Sequence, residues 1–367
     1  MRRLKAFTFW VIFFVWALGP LAAQTVPQVP IWTYYDCLYE GSRENREADR
    51  QKLEKAGFNG IATQITSDAL TAGSIDARFL DACRASKLAV IVLRNRLELS
   101  QYQQVVQKWP DVVKAVDLCD DADKAKTPAE LTKMAAEAQP FLAGSGLFFS
   151  VSKAAPHKDY APIAGRGWYG IQNYLGKAVD NGEGLKQYAY DGVLAARPFV
   201  AGRLLTMPYL GKNATPNAFR NDPTWQAQEY VWPATNEAVA WLGLIAGADG
   251  VLYYSAFAID PNNAIRYYRA GERRDLLAAY GRVHAKIQEH ASFLTDPAVI
   301  KGRQVVGSNV VGTWQKPGGD LLTVTVDLGS EWHPRTSWLV TPPPPPPVAG
   351  SFRFTVDGAK LKVVELP

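Results

Sequence analysis

From residue 31 to about residue 300, short apolar runs alternate with amphipathic stretches of helical period, and few folds accept that pattern. The apolar runs are Ile31–Tyr35, Asn59–Ile65, Leu88–Leu93, Val112–Leu118, Leu147–Val151, Trp168–Tyr174, Leu204–Tyr209 and Gly250–Tyr254. Helical stretches lie at Glu44–Gly57, Ala77–Ser86, Leu99–Lys108, Thr127–Gln139, Leu185–Arg197, Asn236–Ala246 and Arg273–Leu294. Thr127, Pro128 and Glu130 form a capping box with proline in the first turn, which marks a helix start. Leu88–Leu93 is apolar throughout, as a strand covered on both faces must be.

Strands that alternate with helices pair in parallel through right-handed crossovers. Eight such units in this length predict an α/β fold, a closed (β/α)8 TIM barrel over residues 24–300. A doubly wound open sheet is the competing architecture, but no Gly-rich phosphate fingerprint follows the first run. After residue 300 the period changes to that of strands. Gln304–Trp314, Leu321–Asp327, Ser337–Val340, Phe352–Val356 and Leu361–Val364 predict a small all-β C-terminal domain over residues 301–367, sandwich-like in character. The proline run Pro342–Pro347 reads as a stiff loop between two of these strands.

The N-terminus reads as an export signal over residues 1–23. Arg2, Arg3 and Lys5 precede the uncharged apolar run Phe7–Ala23, with cleavage expected after Ala23. An uncleaved membrane anchor is the alternative, and it is the one way a membrane becomes a partner. The expected location is secreted, periplasmic or in the cell envelope. Without the three basic residues of the signal, the balance of 40 Lys and Arg against 35 Asp and Glu falls to 37 against 35, or +2. No basic stripe remains, so nucleic acid is not an expected partner.

In an oxidising compartment the three cysteines, Cys37, Cys83 and Cys119, are read as free thiols, with a Cys37–Cys119 pair as the alternative. Neither a zinc spacing nor a Ser-His-Asp arrangement is visible around His157, His284, His290 and His333, so no metal and no cofactor is expected.

Functional groups of a barrel collect where the strands end at their C-termini. The candidates there are Tyr34, Tyr35, Asp36 and Glu40 after the first strand, and Arg94 after the third. Gln172, Asn173 and Tyr174 follow the sixth, Tyr209 the seventh, and Tyr253 and Tyr254 the eighth. The fourth strand ends in Asp117, Asp120, Asp121 and Asp123, acids that repel one another and so favour a raised pKa. Asp120 and Asp121 are the acid candidates, while Asp117 reads as a mid-strand residue. The tyrosines with Trp168 predict an aromatic mouth suited to flat sugar faces, although core packing claims about half of them. Glu237 reads as a helix-start residue.

Three stretches carry a resemblance. They are Leu53-Glu-Lys-Ala-Gly-Phe-Asn-Gly-Ile61, then Asp120-Asp-Ala-Asp123 followed by Thr127-Pro-Ala-Glu-Leu131, then Ala246-Gly-Ala-Asp-Gly-Val-Leu-Tyr-Tyr254. In this order and spacing they resemble a loose group of secreted glycoside-hydrolase-like (β/α)8 barrels, distantly similar to β-galactosidase and amylase-type barrels. The resemblance implies that Asp121 stands at the family's acid/base glutamate, with Asp120 beside it. It also implies a second glutamate on the seventh strand, where this chain has Met207-Pro208-Tyr209. Either Asp36 or Glu40 replaces that partner, or hydrolysis is lost.

The expected function is therefore that of a secreted carbohydrate-active protein: a glycoside hydrolase acting on a polysaccharide or glycan through paired carboxylates. The alternative is a non-catalytic glycan-binding pseudoenzyme of the same fold.

Overall fold

The computed structural model describes residues 27–35, 45–93, 97–173, 182–208, 231–257, 274–329, 335–341, 352–357 and 360–365. Eight parallel strands close into a barrel in sequence order: β1 (Ile31–Tyr35), β2 (Gly60–Gln64), β3 (Ala89–Leu93), β4 (Val113–Cys119), β5 (Gly146–Ser152), β6 (Trp168–Gln172), β7 (Arg203–Met207) and β8 (Gly250–Phe257). β1 pairs with both β2 and β8, which closes the ring and removes the open-sheet alternative. The expected signal segment, residues 1–23, and the proline run lie outside the described residues.

Alternate residues of each strand face the interior and fill it. At the N-terminal end of the barrel Trp32 and Trp168 meet at a centroid distance of 4.5 Å. Trp168, expected in the mouth, is the first residue of β6 and so plugs the opposite end. Gly60 makes room for this plug, because a Cβ there would overlap the Trp32 indole. Above it, Tyr34, Ala62, Ile91, Ala115, Phe148, Leu205 and Leu252 pack into one apolar cluster. Gly170 is the matching small residue, since a Cβ there would meet Met207 and the Phe148 ring. Large side chains facing glycine and alanine are how a small barrel reaches native packing density.

The outward residues of the strands form a second, larger core with the helices. Buried polar groups are built into it, and one of them ties several elements together. Arg46, 1% exposed at the start of the helix Arg46–Lys55, pairs with the buried Asp76 and donates to Thr63 Oγ1 at 2.9 Å and to the Gln64 carbonyl oxygen. Its guanidinium lies 4.2 Å from the Phe79 ring centroid. Three segments, the helix Arg46–Lys55, β2 and the helix Ile75–Ala85, are thereby joined through one side chain, and Asp76 also accepts from Thr66 N and Oγ1 at 2.8 Å each.

The C-terminal region is a four-stranded antiparallel sheet of order β12-β11-β10-β9, from β9 (Ile300–Val306), β10 (Asn309–Gln315), β11 (Leu321–Asp327) and β12 (Arg335–Thr341). A separate hairpin joins β13 (Phe352–Asp357) to β14 (Lys360–Glu365). The single strand expected over Gln304–Trp314 is two strands, broken at Gly307, whose φ of +58° suits a tight hairpin turn. Val310, Trp314, Leu322, Val324 and Val326 bury one face of the sheet in the same core as the barrel helices. Trp314 meets Trp241 of the helix Val231–Ala246 at 6.5 Å, and Arg303 donates to the Ala246 carbonyl. Among the described residues no helix is long and apolar enough to cross a membrane.

Replacing Arg46 with methionine breaks its buried pair with Asp76 and removes the donors to Thr63 and Gln64. Urea denaturation of Arg46→Met is expected to show a loss of about 3–5 kcal/mol. A loss below about 1 kcal/mol would mean that the pair does not hold these segments together.

Candidate active site

At the C-terminal end of the barrel the inward residues turn polar. Gln64, Asp117, Ser150 and Gln172 are buried there, beside Leu93, Met207 and Tyr254. β4 supplies the acids. Its register with β5 shifts between Asp117 and Cys119, a bulge that redirects the chain as it leaves the strand. Asp121 then adopts φ +49°, ψ +42°, the left-handed region in which Asp is tolerated better than most residues.

These two local features send the four acids in four directions. Asp117 points into the barrel, 7% exposed, and accepts from Cys119 N at 3.2 Å. Burial drives its carboxyl well above the usual range, and the charge of Asp120 adds to the rise. Asp120 is surrounded by protein on several sides yet exposes part of its side chain to solvent. Its Oδ1 accepts from Ser150 Oγ, from Gln172 Nε2 at 2.9 Å and from Asp121 N at 3.1 Å. Burial raises its pKa; the Ser150 hydrogen bond offsets part of the rise, and Asp121 adds to it.

Asp121, the expected acid, gives its carboxylate to Lys124 at 2.9 Å on the outside of the loop. Asp123 accepts from Ser152 N at 2.9 Å and from Ser152 Oγ, which fastens the loop to the end of β5. The acid that faces the mouth is thus Asp120, with Asp117 beneath it. Asp117 and Ser150 are the site residues the sequence left out. Two-residue alternation from Ala115 was the signal for Asp117; Ser150 had none beyond its place on β5.

The other candidates divide in the same way. Tyr34 and Tyr254 face inward and meet edge to face at 5.4 Å. Tyr35 and Tyr253, by contrast, are corrected to the helix layer. Tyr35 donates to Asp49 Oδ2 at 3.1 Å, and Tyr253 packs against Phe58 and His284 at 5.8 and 5.3 Å. Strand alternation, together with the irregularity in β1 between Thr33 and Tyr35, turns both away from the mouth. Asn173 is also corrected: its Nδ2 donates to Thr206 Oγ1 at 2.6 Å, tying β6 to β7.

Glu237 lies inside the helix Val231–Ala246 rather than at its start, and burial pushes its carboxyl up to about 7. Cys83 and Cys119 are free thiols, and burial raises the pKa of each, Cys83 to about 12. Asp36, Glu40, Arg94, Tyr174, Tyr209 and Cys37 lie outside the described residues. Among the described residues no three His, Cys, Asp or Glu side chains gather as a metal site would require.

No family model matches this chain. No curated protein matches it either. Among solved structures, a cold-adapted β-galactosidase from Rahnella sp. R3 shares the fold with a TM-score of 0.51 at 10% identity, over 78% of this chain and 58% of the other. A GH99 endo-α-mannosidase from Bacteroides thetaiotaomicron gives 0.49 at 10% identity, over 72% of this chain and 99% of its own. An FMN-binding β-glucuronidase from Faecalibacterium prausnitzii gives 0.48 at 13%, and this chain spans 56% of its length. At these identities the likeness is one of fold, and function has to be argued from the site.

Asp117 provides a direct test of the electrostatics. The unfolded chain ionises this carboxyl near pH 4. The folded chain does so only at higher pH, so it holds the extra proton across that window and loses stability as pH rises through it. Asp117→Asn has no charge to bury. Its melting temperature is expected to exceed that of the wild type near pH 7.5, with the difference closing toward about pH 4. An equal or lower melting temperature near pH 7.5 would show that Asp117 is not an unfavourably buried acid.

Proposed function

We propose that this chain is an exported carbohydrate-active barrel that hydrolyses a glycosidic bond, with Asp120 as the general acid. The observation that carries this reading is the position of Asp120: at the C-terminal end of a filled barrel, with a raised pKa and a second, buried acid, Asp117, beside it. An acid with a raised pKa holds its proton to higher pH than an ordinary aspartate does, and so is better suited to protonate a leaving oxygen. The C–O bond then breaks, and a water oxygen is added to the sugar carbon as a second carboxylate takes the water's proton. Asp36 and Glu40, the acids that follow β1 in sequence, are the proposed source of that second group. Tyr34, Tyr254 and Gln172, with Arg94, Tyr174 and Tyr209, are proposed to line the sugar site; tyrosine pairs suit the apolar face of a sugar ring and its hydroxyls.

The non-catalytic reading has one observation in its favour: β7 ends in the buried Met207 and offers no carboxylate. Reducing-sugar release from a panel of polysaccharides separates the two. The wild type is expected to cleave at least one polymer, and Asp120→Asn to lose about 10²- to 10⁴-fold in rate with affinity retained. Binding without turnover in the wild type would instead leave a glycan-binding protein. No binding and no turnover across the panel would reject the carbohydrate reading. Export predicts that the mature chain starts at Gln24, which intact mass after expression in a secreting host checks; retention of Met1–Ala23 would support the anchor.

A further inference from the structure

Three donors converge on one oxygen of Asp120, and two of them come from neighbouring strands. Ser150 sits inward on β5 with no exposed surface, and Gln172 sits inward at the end of β6, 4% exposed. Ser150 donates its single hydroxyl proton to Asp120 Oδ1. Its oxygen therefore acts as an acceptor toward Gln172 Nε2, which lies 2.9 Å away and donates at the same distance to Asp120 Oδ1. Turning the Gln172 amide over would set its carbonyl oxygen against a carboxylate oxygen and against a hydroxyl whose proton is already used. The amide therefore has one workable orientation. In that orientation Gln172 Oε1 is buried and finds no hydrogen-bond partner among the described residues. The side chain is placed to serve Asp120 at the expense of its own acceptor, a local conflict of the kind found at functional sites.

We propose that Ser150 and Gln172 are positioning residues that hold Asp120 Oδ1 as an acceptor and leave Oδ2 as the oxygen that carries and delivers the proton. This deepens the hydrolase reading and rests on it for the delivery step. With the backbone N–H of Asp121 added, Oδ1 takes three hydrogen bonds, and none of these donors reaches Oδ2. Proton transfer to a glycosidic oxygen then breaks the Oδ2–H bond. The negative charge left on the carboxylate is met at Oδ1 by donors already in place, so no reorganisation is needed at the moment of transfer.

The same bonds set the acidity. Hydrogen bonds to the ionised form lower a carboxyl pKa, and here they work against burial. Among the described residues, the charged groups bearing on Asp120 are Asp117 and Asp121, both on its own loop and strand, and the Cys119 thiol is the other titratable neighbour. β5 and β6 present the uncharged Ser150 and Gln172.

The test is a ¹³C NMR titration of the Asp120 carboxyl in the unliganded full chain, which needs no substrate. Gln172→Met and Ser150→Ala are each expected to raise its midpoint, by about one pH unit for Gln172→Met, and Ser150→Thr to restore the wild-type value. Gln172→Glu keeps the side-chain shape and adds a like charge, so its midpoint is expected above that of Gln172→Met. A residue that merely fills space would shift the melting temperature without producing this order. If both Ser150→Ala and Gln172→Met stay folded and titrate within about 0.3 pH unit of the wild type, the proposal is overturned. If the titrations follow the expected order but no polysaccharide in the panel is cleaved, the hydrolase reading fails and the hydrogen-bond assignment stands.

Discussion

A closed eight-stranded ring has a fixed interior volume, and everything else in this molecule follows from how that volume is filled. Trp32 and Trp168 occupy its lower end, and Tyr34, Phe148, Leu205 and Leu252 the middle. Glycine at positions 60 and 170 is the complement of those large rings, because the facing strands leave no space for another Cβ. The barrel is therefore a filled core. Asp117, Ser150 and Gln172 stand together in its uppermost layer.

That layer is bought with stability. Two carboxyls lie close together, and the deeper of them, Asp117, is buried. Hydrogen bonds from Ser150, Gln172 and two backbone amides soften the cost without removing it. A fold under pressure for stability alone would place apolar groups there, as it does one layer below. Several charges elsewhere are paired: Arg46 with Asp76 inside the helix layer, Asp121 with Lys124 at the surface, and Arg197 with Asp249 at 2.9 Å between the segments flanking β7. The contrast between these pairs and two adjacent acids at the C-terminal end of the barrel is what makes that end the candidate site.

The C-terminal sheet fits the same logic from outside. One of its faces is apolar, and the helix Val231–Ala246 carries Trp241 and Ile245 on the surface that meets it. Each buries what the other would expose, and the sheet becomes an extension of the outer core.

The order of the strands and helices was legible in the sequence by itself, because apolar period is a local property that survives without knowledge of neighbours. The eightfold count followed from it, and so did the placing of the strongest acidic cluster at the end of β4. Ring closure, however, depends on β1 meeting β8 across most of the chain, and only the tertiary structure shows it. The facing of individual residues was harder still. Tyr34 and Tyr35, or Tyr253 and Tyr254, are neighbours in sequence and lie on opposite sides of the strand wall, so a list of aromatic residues at strand ends is halved by alternation. Within Asp117–Asp123 the decision fell to a bulge and one left-handed residue, Asp121, which turned the expected acid outward and left Asp120 at the mouth. Composition cannot encode that choice, because it is made by backbone geometry and by the side chains of β5 and β6 that come to meet it.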